Sequence, residues 1–498
     1  MKNKRCIGLA LALIACIALS AQTAGTFRID SVTYDISGST REYPLRRLAD
    51  IDKKRVFLSQ QELDVYVNNL RTKLQNERVF ESTSVDVSLG QAGADGIVPV
   101  SLVVHTKDTW NIIVLPYPKY DSNDGFTIKL KLKDFNFFGS LQTLSADVNY
   151  QLDTTGQSSV EANLDFAIPF ESFGYGFEWD ISASIEFPEG EVPEFHLGTG
   201  LDMAIPTPIA DLHVGFTQGV SVNDRDSDDV LYEDDTLYFT ETLYVNLPIT
   251  VHSFDYIGDV VYTPGVNFSA NWSPEGLTHE DLKGPDASFG HSVGFSRVDW
   301  VGNFRRGVEA SLSNSYSYDF HLESDPLTVS VQGEVSGFRD FFDRVGVSAR
   351  AYGLYIFNGD ESNTIAKRLR GILDKRIVSD TAMTLNVDIP IRVLRVNFQE
   401  MSGVDWTKMI GFEMHWNAFF DMALTHDDVT GRYFNLDDGW YSGGLEIIVY
   451  PTSMRSVIGR ASVGFDLAEF VKNGKLGGYA ERDDKSVREI TVAIGLFY

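Results

Sequence analysis

Alternation with a period of two residues governs most of this chain, over segments longer than most soluble strands. Tyr175, Phe177, Trp179, Ile181, Ala183 and Ile185 alternate with Gly176, Glu178, Asp180, Ser182, Ser184 and Glu186. Phe126, Ile128, Leu130 and Leu132 enclose Thr127, Lys129 and Lys131. Phe195, Leu197, Thr199, Leu201, Met203 and Ile205 repeat the pattern, as do Val266, Phe268, Ala270 and Trp272. Successive side chains of a strand point to opposite faces, so each segment has an apolar and a polar face. A soluble sandwich also alternates, but rarely this long with acids at so many inward positions. Roughly 9–11 tilted residues cross a bilayer, and these segments have that length.

Composition points the same way. The chain holds 33 Phe, 21 Tyr and 42 Gly, yet its mean hydropathy is only −0.11. Beyond the first twenty residues no uninterrupted apolar run approaches the roughly 18 residues of a membrane helix. The fold class expected is therefore mainly β: a transmembrane antiparallel β-barrel over residues 107–498. Sixteen or seventeen segments can be counted there, and antiparallel closure favours an even number, so about sixteen strands are expected. The last of them is the most telling. Ile490, Val492, Ile494, Leu496 and the terminal Tyr498 share one face, an in-phase apolar strand ending on an aromatic residue that resembles an outer-membrane assembly signal.

The start of the chain indicates export. Lys2, Lys4 and Arg5 precede a nearly unbroken apolar stretch from Cys6 to Leu19, and small residues follow at Ser20, Ala21 and Ala24. This is the layout of a secretory signal peptide, placed at residues 1–21. One alternative stays open: Leu13-Ile14-Ala15-Cys16 also reads as a lipoprotein box that would leave Cys16 lipidated, although Ile17-Ala18-Leu19 continue the apolar run. Cys6 and Cys16 are the only cysteines, so the body of the chain has no disulfide, thiolate metal site or cysteine nucleophile. Without the three leader cations the net charge moves from −28 to −31, which speaks against nucleic acid as a partner and against simple docking on anionic lipid.

Between them, residues 26–106 read as a small α+β domain. Phe27 and Ile29, then Val32, Tyr34 and Ile36, form a strand with a phase slip near Ser31. Pro44 to Leu48 suit a short helix. Ser59 and Glu62 make a capping box, with Leu58 and Leu63 placed as its staple. Leu63, Val67, Leu70 and Leu74 then fall on one helical face. Val85, Val87 and Leu89 alternate as a strand. Val98, Val100, Leu102 and Val104 form the last, and Pro99 suggests that it lies at an edge. The order β-α-α-β-β, with Asn76 to Val85 as a helix-to-strand passage, resembles a POTRA domain. That resemblance implies a periplasmic module whose Val85–Leu89 strand could pair with an extended client; the plainer reading is a spacer.

Three spots in the barrel resemble the BamA/TamA outer-membrane assembly-factor superfamily, the bacterial surface antigen family. Asp134-Phe135-Asn136-Phe137-Phe138-Gly139 looks like that family's turn between the first two barrel strands, with Asn136, Phe138 and Gly139 as its motif. Leu369-Arg370-Gly371-Ile372 is similar to the tip of the loop that folds back into the barrel. Phe419-Phe420-Asp421-Met422-Ala423 resembles the motif of a wall strand, with Phe419, Asp421 and Ala423 as its key positions. Tyr441 to Glu446, closed by Pro451, fits a neighbouring wall strand. Ile372 stands where the family has an aromatic residue and Ala423 where it has glycine. Five candidate strands follow Gly371 and Asp421 falls on the second. An arginine inside a barrel needs a carboxylate, so Arg370 and Asp421 are expected to meet and pin the loop.

The resemblance implies a non-enzymatic role in the outer membrane. Unfolded outer-membrane or secreted polypeptides would be received by the periplasmic domain, together with any accessory proteins there. They would be inserted through a weak seam between a first barrel strand at about 124–133 and the last at about 488–498. A two-partner-secretion transporter ranks second, since neither a second domain nor a plug segment fits between Ala24 and Thr109; a passive porin would lack both the domain and the Arg370/Asp421 pair. No cofactor, metal or catalytic site is expected. His279-Glu280 lacks a second histidine, and no G-x-S-x-G elbow or phosphate loop occurs. The acids at Asp224, Asp226, Asp228, Asp229, Glu233, Asp234 and Asp235 lack the glycine of an EF-hand and read as a solvated loop, with loose divalent-ion binding as the lesser reading.

Overall fold

The computed structural model describes residues 26–498 apart from 94–95, 122–124, 154–155, 226–229, 255, 360–361, 363, 374–375, 428–429, 454–457 and 495–498. The leader expected at 1–21, and Leu496 and Tyr498, lie outside the described residues. The chain divides into two compact units after Asp108.

The first unit runs β1 (Thr26–Ser37), α1 (Glu42–Ala49), β2 (Val56–Phe57), α2 (Gln60–Asn76), β3 (Phe80–Leu89) and β4 (Ile97–Asp108). Its sheet has the order β2-β1-β4-β3. The phase slip read near Ser31 is a register shift between Ile29 and Ser31. Leu63, Val67, Leu70 and Leu74 of α2 are buried with Phe27, Ile29, Phe57, Val100, Leu102 and Val104. Ser59 caps α2 by accepting from the Glu62 N–H, and the Glu62 carboxylate accepts from Leu58 N–H in return. The bond from Leu58 N–H, with the hydrogen bond and charge of Arg55, holds the Glu62 carboxyl below its usual range.

Two local expectations fail here. Leu58 is exposed, so it forms no staple with Leu63: its backbone is spent on Glu62 and its side chain turns outward. Nor is β4 an edge. It pairs parallel with β1 and antiparallel with β3. Pro99 is tolerated because it sits beyond Leu89, the last residue of β3, where its carbonyl still accepts from Gly90 N–H at 2.8 Å and only the missing donor is lost.

The second unit is a closed barrel. Its strands are β5 (Ile112–Asp121), β6 (Gly125–Asp134), β7 (Leu144–Leu152), β8 (Ser158–Ser172), β9 (Tyr175–Pro188), β10 (Glu194–Pro206) and β11 (Asp211–Val222). Next come β12 (Leu237–Asn246), β13 (Ile249–Phe254), β14 (Gly258–Trp272), β15 (Asp286–Val301), β16 (Phe304–Asp319), β17 (Leu327–Phe341) and β18 (Val345–Phe357). After a long loop follow β19 (Thr381–Val396), β20 (Phe412–Asp427), β21 (Arg432–Tyr433), β22 (Trp440–Pro451), β23 (Gly459–Asp466) and β24 (Arg488–Ile494). β12 and β13 both pair with β14 and continue one another, and β21 is a two-residue ribbon on β20. Among the described residues this leaves eighteen staves, an even number as antiparallel closure requires.

The barrel is thus two staves larger than sixteen, and the excess lies before the long loop. β5 lies ahead of the segment at about 124–133 expected to be the first stave and carries Pro116 and Pro118, yet it pairs with β6 without a break from Ile112↔Asp134 to Asp121↔Gly125. The segment expected to be the first stave is therefore the second.

Period two separates the two sides of the wall. Phe195, Leu197 and Leu201 on β10, and Ile490 and Val492 on β24, are exposed on the outer face. The inner face carries polar side chains that pair across staves: Lys129 with Asp147 at 3.0 Å, His213 with Asp202 at 2.7 Å, Arg350 with Glu334 at 2.6 Å. So wide an apolar exterior far exceeds what a soluble monomer leaves bare. Connections at one rim include turns as short as 173–174 and 302–303. Those at the other include the long loops 223–236, 273–285, 358–380 and 467–487.

In the first unit, His105 on β4 lies between Asp35 on β1 and Asp86 on β3, at 2.7 and 3.3 Å. The hydrogen bond to Asp35, with both carboxylate charges, raises its pKa. A raised histidine stabilises the fold fully below its unfolded value, about 6.5, and the contribution fades as pH rises through the folded value. The imidazole titration followed by NMR in the full chain should therefore have a midpoint above the ordinary one. Asp35→Asn should return it toward that value.

Candidate functional site

The loop between β18 and β19 enters the barrel and is held there by charge. Its neck is closed by Ile356 N–H to the Asp380 carbonyl and by a bridge between Ser362 and Ser379. Ile365, Ala366, Leu369, Ile372 and Ile377 of the loop pack with Ala382, Ala423 and Trp440 of the wall in one buried cluster. Ile372 and Ala423, the two departures from the resembled motifs, meet in this cluster. A smaller loop side chain sits where the wall side chain is one methyl larger.

Arg370 is 3% exposed and Asp421 0%. The guanidinium forks onto Asp421, Nε to Oδ2 at 3.0 Å and Nη2 to Oδ1 at 2.8 Å, and the Arg370 backbone N–H also donates to Oδ2 at 2.9 Å. Nη1 donates to Asp388 Oδ1 at 2.6 Å and lies 3.8 Å from Glu446 Oε2. The Phe419 ring lies under the guanidinium carbon at 3.9 Å. Asp421, Asp388 and Glu446 come from β20, β19 and β22, at positions that all point inward. Asn417 links two of them, donating to Asp388 at 2.6 Å and to Glu446 at 3.0 Å, and Arg460 balances Glu446 at 3.0 Å. Three buried carboxylates thus share two guanidiniums, with the Asn417 amide bridging two of the acids, since buried charge persists only where it has partners.

Gly371 follows with φ +86, and a Cβ there would stand 2.6 Å from Phe465 N and 2.7 Å from Gly464 C. Only glycine lets the loop tip lie flat on β23. The Gly371 N–H then donates to Glu489 Oε2 of β24 at 2.7 Å, so the loop tip is tied to the last strand.

Two further arginines widen the hold. Arg368 pairs with Glu334 at 2.9 Å and lies 3.4 Å over the Tyr352 ring. Arg376, buried, pairs with Asp466 at 2.9 Å and Asp483 at 2.6 Å. Sequence reasoning missed Arg368, Arg376, Asp388, Glu446 in its ionic role, and Glu489. The arginines could have been found as cations on the same loop; the acids look like any other inward acid of a wet lumen.

The remaining predicted residues fall apart from this cluster. Asn136 is buried and folds the 135–143 turn, its Oδ1 accepting from Leu141 N–H at 2.9 Å, while Phe138 (φ +51) and Gly139 (φ +71) take left-handed conformations. That turn joins the second and third staves. β3 is an edge strand of its sheet, but Val85 is buried and its carbonyl is taken by Arg71 at 2.5 Å, which leaves Val87 and Leu89 exposed. Ile490 and Val492 face outward, and the backbone of Ile494 ends β24.

The acidic stretch at 224–235 differs from a solvated loop at two described residues, of which Asp224 is half-buried and accepts from the Tyr238 hydroxyl. Asp235 is buried and accepts from Thr278 N–H, Thr278 Oγ1 and His279 N–H at 2.7–3.1 Å, which clamps two neighbouring loops. Burial pushes its pKa up, but the donors from His279 and Thr278 outweigh this and hold it below the usual range. Asp226, Asp228 and Asp229 lie outside the described residues. Among the described residues no cluster of His, Cys, Asp and Glu suits a metal ion.

No family model and no curated protein matches the chain. Among solved structures it is similar to CdiB from Acinetobacter baumannii, at 12% identity and a TM-score of 0.50 over 94% of this chain and 73% of that one. It also aligns with CdiB from Escherichia coli (11% identity, TM-score 0.42, 95% and 92% covered). A third alignment is with BamA from Haemophilus ducreyi lacking POTRA domains 1–3 (11%, 0.38, 94% and 85%). The first likeness shows the fold alone; the other two carry no argument.

Replacing Arg370 with alanine leaves Asp421, Asp388 and Glu446 facing Arg460. The cost expected is about 3–5 kcal/mol, that of stranding buried charge. It should be seen as a lower thermal midpoint and as protease cleavage within 364–380, where the native chain resists. Arg370→Lys, a point charge without the fork, should recover only part of that resistance. Resistance equal to the native chain in Arg370→Ala would show that the pair does not pin the loop.

Proposed function

We propose that this chain is an outer-membrane assembly factor that inserts polypeptide strands through the junction between β5 and β24. The observation that carries this reading is the backbone of β5. The Asn111 carbonyl accepts from Phe135 N–H at 3.0 Å, so Asn111 and every second residue after it turn their backbone groups toward β6. The register with β6 is unbroken, so Ile112, Val114, Pro116 and Pro118 turn theirs the other way, toward β24. Two of these four are prolines and have no N–H to give. The Ile112 carbonyl is already taken by the Trp110 indole at 2.5 Å.

A strand at membrane depth must satisfy its backbone groups. β24 therefore gains by exchanging a donor-poor neighbour for an incoming strand that offers every N–H. No nucleotide is needed, since the hydrogen bonds formed replace those given up. The pinned loop reaches the same strand through Gly371 and Glu489, which makes it the holder of the junction. The first unit, with its exposed strand edge at Val87 and Leu89, is the proposed periplasmic receiver of extended clients, by β-augmentation.

A second reading is export of a polypeptide through the lumen, favoured by the fold likeness to CdiB. The two are separated by closing the junction. Cysteines placed in β5 and β24 and oxidised should leave a folded, heat-modifiable barrel that no longer inserts clients into vesicles. Insertion at the native rate would overturn the reading, and export surviving the crosslink would favour the second. Pro116→Val with Pro118→Val should restore two donors, at about 1 kcal/mol each. The thermal midpoint should rise by a few degrees while insertion slows.

A further inference from the structure

The short-turn rim of the barrel carries large apolar side chains that neither the pinned loop nor the junction explains. Phe173, Tyr256 and Phe342 are 94%, 90% and 95% exposed, and Phe138 and Ile209 are exposed as well. Each stands in a connection between staves on that one rim. Phe173-Gly174 (φ +53, +80) and Phe342-Asp343 (φ +53 to +55) take the left-handed turn geometry in which Asn, Asp or Gly is the ordinary choice. A phenylalanine there bears backbone strain and, at such exposure, gains almost no contact from the protein in return.

Charge is distributed in the opposite sense. The turns 135–143, 173–174, 207–210 and 302–303 contain no charged residue, in a chain with net charge −28; on the same rim 342–344 carries Asp343 with Arg344, and 397–411 carries Glu400, Asp405 and Lys408, whereas the single loop 223–236 at the other rim holds seven acids. The apolar outer wall also runs onto the tips without interruption. Phe170 and Tyr175 flank Phe173, and Phe341 precedes Phe342, all exposed on the outer face.

We propose that these tips sit in the phospholipid headgroup layer of the leaflet at that rim and set the depth of the barrel in the membrane. Aromatic side chains favour that layer, and the four uncharged turns lose nothing by leaving bulk water. The inference rests on the reading that the wall spans a bilayer, and goes beyond it by assigning the turns a lipid partner.

The test uses the full chain with Cys6 and Cys16 changed to alanine, folded alone into phosphatidylcholine vesicles. A fluorophore is attached at F173C or F342C, at L312C on the outer wall, or at E323C in a connection of the acidic rim. Nitroxide carried near the lipid headgroup should quench the two tip sites at least twofold and leave E323C unchanged. Deep-chain nitroxide should quench L312C. Tips that behave like E323C while L312C is quenched would overturn this inference alone, and would also be the outcome if the tips awaited a protein partner. An unquenched L312C would overturn the membrane reading together with it. As a second measurement, Phe173→Asn with Phe342→Asn should keep or raise the thermal midpoint in detergent, since asparagine suits the turn. The same variant should fold into vesicles at least threefold more slowly; an unchanged rate in vesicles would count against the proposal.

Discussion

A guanidinium placed inside a barrel has to be matched by carboxylates, and that requirement organises the loop-bearing half of this molecule. Arg370 draws Asp421, Asp388 and Glu446 from three adjacent staves onto one point. The loop that carries it cannot leave without exposing three acids to one another. Its neighbours Arg368 and Arg376 extend the hold to β17 on one side and to the end of β23 on the other. The apolar cluster of Leu369, Ile372, Ala423 and Trp440 fills the space between these contacts. Because a removed partner leaves a buried charge behind, the arrangement resists partial loosening, and the loop is held as a unit.

The wall supplies the other half of the argument. Its polar inner face lets acids stand at staves where a soluble core would refuse them, and its apolar outer face has no protein to cover it. Both follow from one backbone periodicity, which also decides that Glu489 points to the loop while Ile490 and Val492 point away. The last strand therefore serves two environments at once, and the loop senses it from the wet side.

Much of this is legible in the residues. The two-residue rhythm and the order of staves after Gly371 can be argued from spacing, while the meeting of Arg370 with Asp421 follows from the motifs that resemble a known family, with charge as its physical reason. Proline misleads at Pro99, and it also stands in a stave that was not expected. Pro99 suggests an edge where β4 is central, because what matters is whether a partner is present opposite that one N–H. Pro116 and Pro118 fit in β5, because a strand with one undemanding side can carry them. The partners of Arg368 and Arg376 could not be chosen in advance, since inward acids abound. Asp235 looked solvated because its donors come from a loop more than forty residues away.

The prolines of β5 have one more consequence. Sliding β24 by two residues along β5 would again bring it opposite a side short of donors, and sliding it by one would turn its greasy side chains toward water. No alternative alignment of the two strands supplies the missing donors, so slippage cannot strengthen their pairing.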